Sequence, residues 1–452
     1  MTTRAPLGIS LIAAGFLASS ALSAHAQARP DPLAEAPMAY VVRRGDTLIE
    51  LARTYLNRPS DYRQLQRQNR VANPRRLTPG RTLNIPTELL RTRPDPAQLE
   101  SYHGQVVIQR GGQPQTLRVG MAVAEGDVVI TGNNAFARVA MSDGSHAVVP
   151  SNSRILIERL RRFDINDQPD HRLTIQRGRL ENNVQPRQSP GTYRVTTPAA
   201  VSAVRGTSFR VAFDEVTGAS ATGVLEGRVA TVAKGADELV LNDAGNGVVV
   251  SLGGGVATAS ALLPSPTLVD PAKLQTDPKL NFEISLPQGT RSVRGRIGND
   301  AGLTQPVLEG ESQSAILSFD ELAEGRWFIR LTAVSADGLE GRPHTYDFIR
   351  ARNGVEGLAI AEGQDQGFRT YRFGWRGVGE GEARFRFQLW RQNAQGEQDG
   401  PIMVDHPGIE ETNFTLTDLP PGTYSWRVEG VRHRFGHRLA VWSDAETLTI
   451  SR

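Results

Sequence analysis

Few residues in this sequence have the types and spacing needed for catalysis or metal binding. The chain contains no cysteine, so a thiol nucleophile is excluded. Its eight histidines are scattered, and only His433 and His437 lie four residues apart. That spacing puts two metal ligands on one face of a helix, but the sequence around them is typical of strands. We therefore expect no metal site and no cofactor.

Short catalytic motifs are also missing from the sequence. It has no GxSxG, no phosphate-binding loop and no HExxH. The carboxylate pairs of glycosidases can lie far apart in a chain, yet nothing in the pattern indicates such a pair. The sequence therefore predicts a protein that is not an enzyme, which leaves binding as the class of function to consider.

Basic charge is concentrated near the amino terminus. The chain has 51 Lys and Arg against 48 Asp and Glu, a net charge of +3, which is small for a nucleic-acid-binding protein. Residues 40–93 contain 12 Arg and four acidic residues, so this segment carries 12 − 4 = +8. Such a segment suits an anionic polymer, for example the stem-peptide carboxylates of a cell wall or lipopolysaccharide. The alternative is that these arginines only form a solvated face.

The first residues have the pattern of a secretory signal. Arg4 is followed by an apolar run over residues 7–22 and by the small-residue pattern AHA at 24–26. A membrane span needs about 20 apolar residues, and this run is shorter and diluted with Gly and Ser. We expect residues 1–26 to be a cleaved signal peptide. Because the chain has no cysteine, it can have no lipid-modified cysteine and no disulfide, which predicts a free protein of the bacterial periplasm.

Residues 40–56, YVVRRGDTLIELARTYL, change from the hydrophobic period of a strand to that of a helix. Thr47 and Glu50 have the spacing of a capping box, in which each side chain satisfies a free backbone amide at the start of a helix. A second short helix that ends near Asn69 and a closing strand over residues 82–86 follow. The predicted order is βααβ.

The motifs VRRGDTLIELA, NRVANP and LTPGRTLNIP in this segment resemble the LysM module, whose members bind chitin-like and peptidoglycan glycans. The resemblance covers residues 40–87. It implies a groove for N-acetylglucosamine between the loop after the first strand and the loop before the last. The first three residues of the implied groove also suit a turn and a helix cap, and its two arginines could instead meet carboxylates. The implied glycan-binding residues are Gly45, Asp46, Thr47, Leu48, Asn73, Pro74, Arg75, Arg76 and Leu77.

Residues 88–103 are rich in Pro and Arg and are predicted to be a linker. From residue 104 onward, apolar and polar residues alternate between Gly, Asn and Asp turns, which indicates strands. The stretches GDVVITGNNAFARVAMSDGS, TPAAVSAVRGTSFRVAFDE and GVLEGRVATV resemble the FecR-type periplasmic domain. The resemblance implies an all-β roll or sandwich over residues 104–255.

In the FecR family, a membrane span and a cytoplasmic segment that handles a sigma factor precede this domain, and the periplasmic part senses an outer-membrane receptor. A signal peptide is expected in that place here, so direct transmembrane signalling is doubtful. The segment VRGT at residues 204–207 has two interpretations. Arg205 could face a ligand beside a close backbone approach, or Gly206 could permit a positive φ at a bulge. We favour the second interpretation.

The last third of the sequence contains a repeat. Residues 316–334 align on residues 413–431 in a single register, with Trp327 on Tyr424. The pattern resembles two fibronectin type III or related immunoglobulin-like sandwiches, whose aromatic residues are expected to be core and strand partners rather than a sugar platform. The predicted sandwiches are residues 264–352 and residues 357–452.

Taken together, these patterns predict a multidomain, mainly β fold with a small βααβ LysM module, a FecR-like all-β domain and two immunoglobulin-like sandwiches. The favoured function is that of a non-catalytic periplasmic protein anchored to peptidoglycan by its LysM module, with β domains that scaffold or bind an envelope protein. The alternative is a sensory or regulatory component. In that case the FecR-like domain would recognise a ligand or receptor and signal through a separate membrane protein.

Overall fold

The computed structural model describes residues 37–187, 191–236, 239–254 and 259–451. The predicted signal peptide, residues 1–26, lies outside these ranges. The fold is multidomain and mainly β, as predicted: a small unit with two helices precedes a large all-β domain and two sandwiches. The longest helix in the described ranges has eight residues, and none there has the length and apolar character needed to cross a membrane.

The amino-terminal unit has the predicted βααβ order. Its strands β1 (Met38–Val41) and β2 (Thr82–Ile85) pair antiparallel. Its helices are α1 (Leu48–Tyr55) and α2 (Tyr62–Gln68), and a 3₁₀ turn at Pro59–Asp61 joins them. These bounds confirm the predicted start of the first helix, the end of the second helix near Asn69 and the closing strand.

Helix α1 begins where the hydroxyl of Thr47 accepts a hydrogen bond of 3.0 Å from the amide of Glu50, which is one half of the predicted capping box. The carboxylate of Glu50 lies 3.8 Å from Arg53 Nη1. The apolar faces of both helices pack against the two-stranded sheet. This core consists of Met38, Val42, Leu48, Leu51, Ala52, Leu56, Leu65, Val71, Leu83, Ile85, Leu90 and Phe163.

Residues 88–103 differ from the predicted linker. They begin within a 3₁₀ turn (Thr87–Leu89) and continue as strands β3 (Thr92–Pro94) and β4 (Ala97–His103). Buried and exposed residues alternate along most of β4, so one face of this strand packs into the core of the large β domain. The composition suggested a linker, but both strands find backbone partners much later in the chain.

The large β domain consists of strands β3 to β20, which form one closed hydrogen-bonded path. Its strands after β4 are β5 (Val106–Arg110), β6 (Gln113–Pro114), β7 (Ala122–Val123), β8 (Val128–Thr131), β9 (Phe136–Ala140), β10 (His146–Val149), β11 (Arg154–Phe163), β12 (Pro169–Asn183), β13 (Thr192–Thr196), β14 (Ala200–Val204), β15 (Ser208–Asp214), β16 (Ala219–Glu226), β17 (Arg228–Ala233), β18 (Leu239–Asp243), β19 (Asn246–Ser251) and β20 (Ser260–Ala261).

Strand β12 connects two layers of this domain. Its first part pairs with β11 and β13, and from Gly178 onward it pairs with β15. Gly178 has a φ of +81°, and a Cβ at this position would lie 2.5 Å from Ser153 Oγ. Glycine is therefore required where the strand passes from one layer to the next.

The VRGT segment at residues 204–207 has a structural role. Gly206 has a φ of +117°, and a Cβ there would lie 2.7 Å from the Cα of Pro186. A register shift between Ser208 and Phe209 marks a bulge directly after the segment. The geometry agrees with the favoured interpretation, a glycine required at an irregular strand.

Two β-sandwiches form the last third of the chain, each with a three-stranded sheet facing a larger sheet. The first contains β21 (Thr267–Leu268), β22 (Leu280–Ser285) and β25 (Ile316–Phe319) opposite β23 (Thr290–Gly298), β24 (Pro306–Ser312), β26 (Gly325–Ser335) and β27 (Glu340–Arg350). The second contains β28 (Gly354–Asp365), β29 (Phe368–Val378) and β32 (Asn413–Thr417) opposite β30 (Ala383–Gln392), β31 (Gln398–Ile409), β33 (Gly422–Arg434), β34 (His437–Trp442) and β35 (Glu446–Ile450).

The repeat in the sequence corresponds to equivalent positions of the two sandwiches. Trp327 and Tyr424, which align in the repeat, each donate a hydrogen bond to a backbone carbonyl four residues upstream. The indole nitrogen of Trp327 lies 3.0 Å from the oxygen of Ala323, and the hydroxyl of Tyr424 lies 2.7 Å from the oxygen of Pro420. The same bond therefore fixes the start of the same strand in both domains.

The amino-terminal unit packs directly on the large β domain. Phe163, at the end of β11, is 2% exposed and lies in the core of the amino-terminal unit. The guanidinium of Arg91 donates hydrogen bonds to the carbonyls of Arg53 and Leu56 at 3.1 and 3.0 Å. The backbone carbonyl of Arg91 accepts a hydrogen bond of 3.1 Å from the amide of Asp164. Phe163 of the large β domain is therefore part of the hydrophobic core of the amino-terminal unit.

A layer of charged side chains separates the large β domain from the first sandwich. Across it, Glu309 forms an ion pair with Arg179, and a carboxylate oxygen of Glu340 lies 3.3 Å from Arg210 Nη1. These side chains are only 10% to 20% exposed, so each charge depends on its partners for solvation. We call the following set the charged layer: Arg179, Glu181, Arg210, Arg294, Arg296, Glu309 and Glu340.

Acid should weaken the charged layer. Burial opposes the ionisation of Glu181, but the charges of Arg296 and Arg210 outweigh burial and lower its pKa to about 2. The arginines likewise lower the pKa of Glu309 against the effect of burial. Because a glutamate in the unfolded chain has a pKa of about 4.3, this stabilisation is complete above about pH 5 and is lost as the pH falls toward about 2.

The expected result is a free energy of unfolding that declines steadily over this acidic range. Urea unfolding monitored by tryptophan fluorescence from about pH 6 to about pH 3 would measure the decline. The free energy of unfolding of a Glu181→Gln/Glu309→Gln variant should depend less on pH in the same range. An equal pH dependence in both proteins would contradict the assignment.

Candidate glycan-binding groove

The two loops that the LysM resemblance singles out lie side by side in the structure. The first follows β1 and the second precedes β2. The backbone amide of Leu48 donates a hydrogen bond of 2.9 Å to the carbonyl of Pro74 and so joins the two loops. Residues 45–48 and 73–77 therefore lie next to one another.

The first loop is held by Asp46. Its carboxylate accepts hydrogen bonds from the hydroxyl of Tyr40 at 2.8 Å and from the amide of Arg43 at 2.7 Å. Burial, together with the hydrogen bond to Asp46, raises the pKa of Tyr40 to about 12. Gly45 is exposed at a φ of +95° with open space where a Cβ would lie, and Thr47 caps α1. All three predicted residues of this loop thus have structural roles.

The two leucines of the predicted groove differ in their exposure. Leu48 is fully buried in the core of the module, and its amide is bound to Pro74, so it joins the two loops without offering a surface to a ligand. Leu77 is half-buried and packs against the same core, which leaves part of its side chain at the surface. The burial of Leu48 could be predicted from the sequence, because the helical period of apolar residues places Leu48 on the apolar face of α1.

The second loop presents mostly exposed groups. The side-chain oxygen of Asn73 accepts a hydrogen bond of 2.9 Å from the amide of Arg75, which is typical of an Asx turn. Arg75 and Arg76 are exposed, and neither forms an ion pair with another residue that the structure describes. Pro74 is half-buried between them and the first loop. This loop therefore combines an apolar surface with two arginines that remain available to a ligand.

Two residues that hold this region in place could not be recognised from the sequence. The side chain of Asn69 donates to the carbonyl of Asn84 at 2.9 Å and accepts from its amide at 2.7 Å, so it pairs with β2 as a strand would. Tyr40 holds Asp46, as described above. In the described part of the chain, no group of three or more His, Asp or Glu residues is arranged to hold a metal ion.

Comparisons with known protein families support both resemblances. The LysM domain model matches residues 40–86, and the model described as FecR protein matches residues 127–230. Neither is a catalytic family. The predicted LysM and FecR-like segments are thus confirmed at these positions.

Solved structures with similar chains are more distant. Two crystal structures of a candidate anti-sigma factor from Parabacteroides distasonis are 16% identical, cover 30% of this chain and have TM-scores of 0.25. This chain spans 59% of that protein's length. The FN1–FN3 domains of chicken CNTN1 are 9% identical over 61% of this chain and 99% of that chain, with a TM-score of 0.23. None of the curated proteins compared with the chain matches it.

Proposed function

We propose that this protein is a non-catalytic component of the bacterial periplasm that binds peptidoglycan through its LysM module and holds an envelope partner on its β domains. The match of residues 40–86 to the LysM domain carries the first part of the proposal. The groove residues would be those predicted from the resemblance, with Leu48 joining the two loops rather than contacting the sugar.

The groove suits a neutral N-acetylated sugar. Backbone amides of the two loops would donate to the acetamido carbonyl, while Pro74 and the surface of Leu77 would cover its methyl group. A single module of this size is expected to bind weakly, with a Kd between about 1 mM and about 1 μM. The high density of repeated glycan in a cell wall would then retain the protein through rapid rebinding.

Contacts between the domains support a scaffolding role. Phe163 of the large β domain lies in the core of the LysM module, and the charged layer fixes that domain to the first sandwich. Between the sandwiches, the 2% exposed side chain of Glu324 accepts from Arg434 Nε at 3.3 Å and from the amide of Glu380 at 2.8 Å. A chain with such contacts at every junction would hold its binding surfaces at fixed positions relative to the wall.

The groove can be tested by calorimetric titration with a soluble chitin oligosaccharide. In an Arg75→Ala/Arg76→Ala variant, loss of the contact surface next to Pro74 should weaken binding about threefold to tenfold. An Arg58→Ala/Arg63→Ala variant removes two other exposed arginines of the same module and should bind normally. Equal weakening in both variants, or no binding by the wild type, would contradict the groove assignment.

A sensory or regulatory role is the second candidate, and the FecR match at residues 127–230 favours it. In this case the FecR-like domain would recognise a ligand or receptor and pass the signal to a separate membrane protein. A neighbouring gene for a sigma factor or histidine kinase would favour this role. A neighbouring gene for an outer-membrane or secretion machine would favour the scaffold.

A further inference from the structure

A cleft of about 330 Å³ lies between the large β domain and the first sandwich. We call it the interdomain cleft. On one side it is bordered by β9, β10, β12, β15 and β16, and on the other by β23, β26, β27 and the residues around Leu303. Ligand sites are common at domain boundaries and have volumes of about 300 to 1,000 Å³, so this cleft is large enough for a small organic molecule.

Arginines dominate the polar side of the interdomain cleft. Four arginines line it, namely Arg138, Arg210, Arg296 and Arg330, and Glu181 is the one carboxylate among its lining residues. Such a lining favours the entry of an anion.

Three of these arginines already have carboxylate partners. Arg138 pairs with Glu100 at 2.6 Å. Arg296 pairs with Glu181 at 2.6 Å and lies 3.6 Å from Glu309. Arg210 lies 3.6 Å from Glu181 and 3.3 Å from Glu340. The partners of Arg210 and Arg296 belong to the charged layer, and Glu100 lies on β4 of the large β domain. These three guanidinium groups are therefore already engaged with the protein itself.

Arg330 differs from the other three arginines. Its guanidinium donates to Thr345 Oγ1 at 3.1 Å and to the carbonyls of Ala301 and Gly302 at 3.2 Å. It forms no ion pair with any carboxylate in the described part of the chain. Asp300 contributes a favourable charge, but its carboxylate is engaged by Thr304 at 2.8 to 3.2 Å.

Burial is the largest effect that lowers the pKa of Arg330, and the positive charges of Arg210 and Arg296 lower it further, although Glu181 opposes them. A guanidinium still stays protonated in proteins. Arg330 is therefore a half-buried cation next to two others, in a position where an incoming anion would be stabilised.

The interdomain cleft also has apolar lining residues from both domains. Leu225 of the large β domain and Pro343 of the sandwich are half-buried and keep some apolar surface, whereas Phe209, Leu303 and Pro306 are buried. Inorganic phosphate would leave this surface uncovered, whereas an organic acid with a hydrocarbon body would bury it.

We infer that the interdomain cleft binds a small organic carboxylate, with its charged group on Arg330 and its apolar body against Leu225 and Pro343. The carboxylate would accept hydrogen bonds from the guanidinium, as carboxylates do in paired Arg sites. A ligand in this position contacts both domains at once, so its binding would stiffen their junction. This inference does not depend on glycan binding by the LysM module.

Calorimetric titrations of the full chain with hexanoate, benzoate, inorganic phosphate and hexanol test the inference. Hexanoate or benzoate should bind saturably, while phosphate and hexanol should bind at least about tenfold more weakly, because each offers only one of the two contacts. Tighter binding of phosphate than of both carboxylates would overturn the assignment of ligand class. The absence of saturable carboxylate binding would overturn the site.

Two variants locate the site. Arg330→Met keeps an unbranched apolar stem but removes the guanidinium and its charge, and it should weaken carboxylate binding about tenfold or more. The matched control is Arg326→Met, which changes a 69% exposed arginine on the same strand and should leave binding unchanged. Equal affinities in wild type and Arg330→Met would overturn the proposal.

A third variant tests the site independently, in case Arg330→Met does not fold. Leu225→Trp keeps every charge and fills the cleft from the other domain, so it should also abolish carboxylate binding. Binding of peptidoglycan should be unchanged in all of these variants, which separates failure of this inference from failure of the proposed function.

Discussion

Replacement of Phe163 by alanine should detach the LysM module from the large β domain. Phe163 is 2% exposed and packs among residues of the module, although it belongs to strand β11. Truncation of a buried phenylalanine typically costs about 3 to 5 kcal/mol. Much of this loss of free energy should weaken the contact between the module and the large β domain, because the module retains the other members of its own core.

Limited proteolysis combined with calorimetric unfolding measures this effect. The variant should become sensitive to cleavage between residues 86 and 104 and should show a separate, earlier unfolding transition for the module. The control is Phe435→Ala, which truncates a 43% exposed phenylalanine of the second sandwich and should leave both properties unchanged. A single transition at the wild-type temperature in Phe163→Ala would contradict the packing of Phe163 in the core of the module.

Replacement of Glu309 by alanine should have the second large effect, at the charged layer. Glu309 pairs with Arg179 and lies 3.7 Å from Arg294 Nε and 3.6 Å from Arg296 Nε. Removal of Glu309 leaves the four arginines of the charged layer with only Glu181 and Glu340, and loss of one partner of a buried pair costs about 3 to 5 kcal/mol in comparable sites. The free energy of unfolding from urea titration should fall by an amount in this range.

The matched control for this variant is Asp243→Ala. Asp243 pairs with Arg228 on the surface, and both side chains are 63% exposed, so its loss should cost at most about 1 kcal/mol. If both variants lost the same small amount, the charged layer would contribute no more than an ordinary surface pair. If Glu309→Ala were instead more stable than wild type, the burial cost of these charges would outweigh their attraction.

Local features of the LysM module could be predicted from the sequence because they depend on near neighbours. The spacing of Thr47 and Glu50 located the start of α1, and the helical period identified the buried face of that helix. Similarly, the alignment of Trp327 on Tyr424 predicted two equivalent strands, and both residues make the same backbone hydrogen bond.

Features that depend on distant segments could not be predicted in the same way. Phe163 is about seventy residues beyond the module whose core it completes, and no periodicity connects the two. The residues of the charged layer alternate with apolar residues along their strands, as in a sheet with one solvated face. In the structure, two such polar faces instead meet each other.

The candidate site was likewise predicted in part. The resemblance identified two loops, and the hydrogen bond between Leu48 and Pro74 joins them. It also included Leu48 as a contact residue, whereas the structure buries that side chain completely. A family motif records which positions matter but does not separate residues that shape a groove from residues that line it.

Co-sedimentation of the mature protein with purified peptidoglycan sacculi tests the central claim most directly. The experiment compares wild type with Arg75→Ala/Arg76→Ala at about 0.1 M and about 1 M salt. At the higher concentration the Debye length is only about 3 Å, so attraction between exposed charges is largely screened. We predict that the wild type pellets at both concentrations and that the variant pellets less at both. If the wild type remained in solution, or if high salt alone released it, the LysM module would not be a sugar-binding wall anchor.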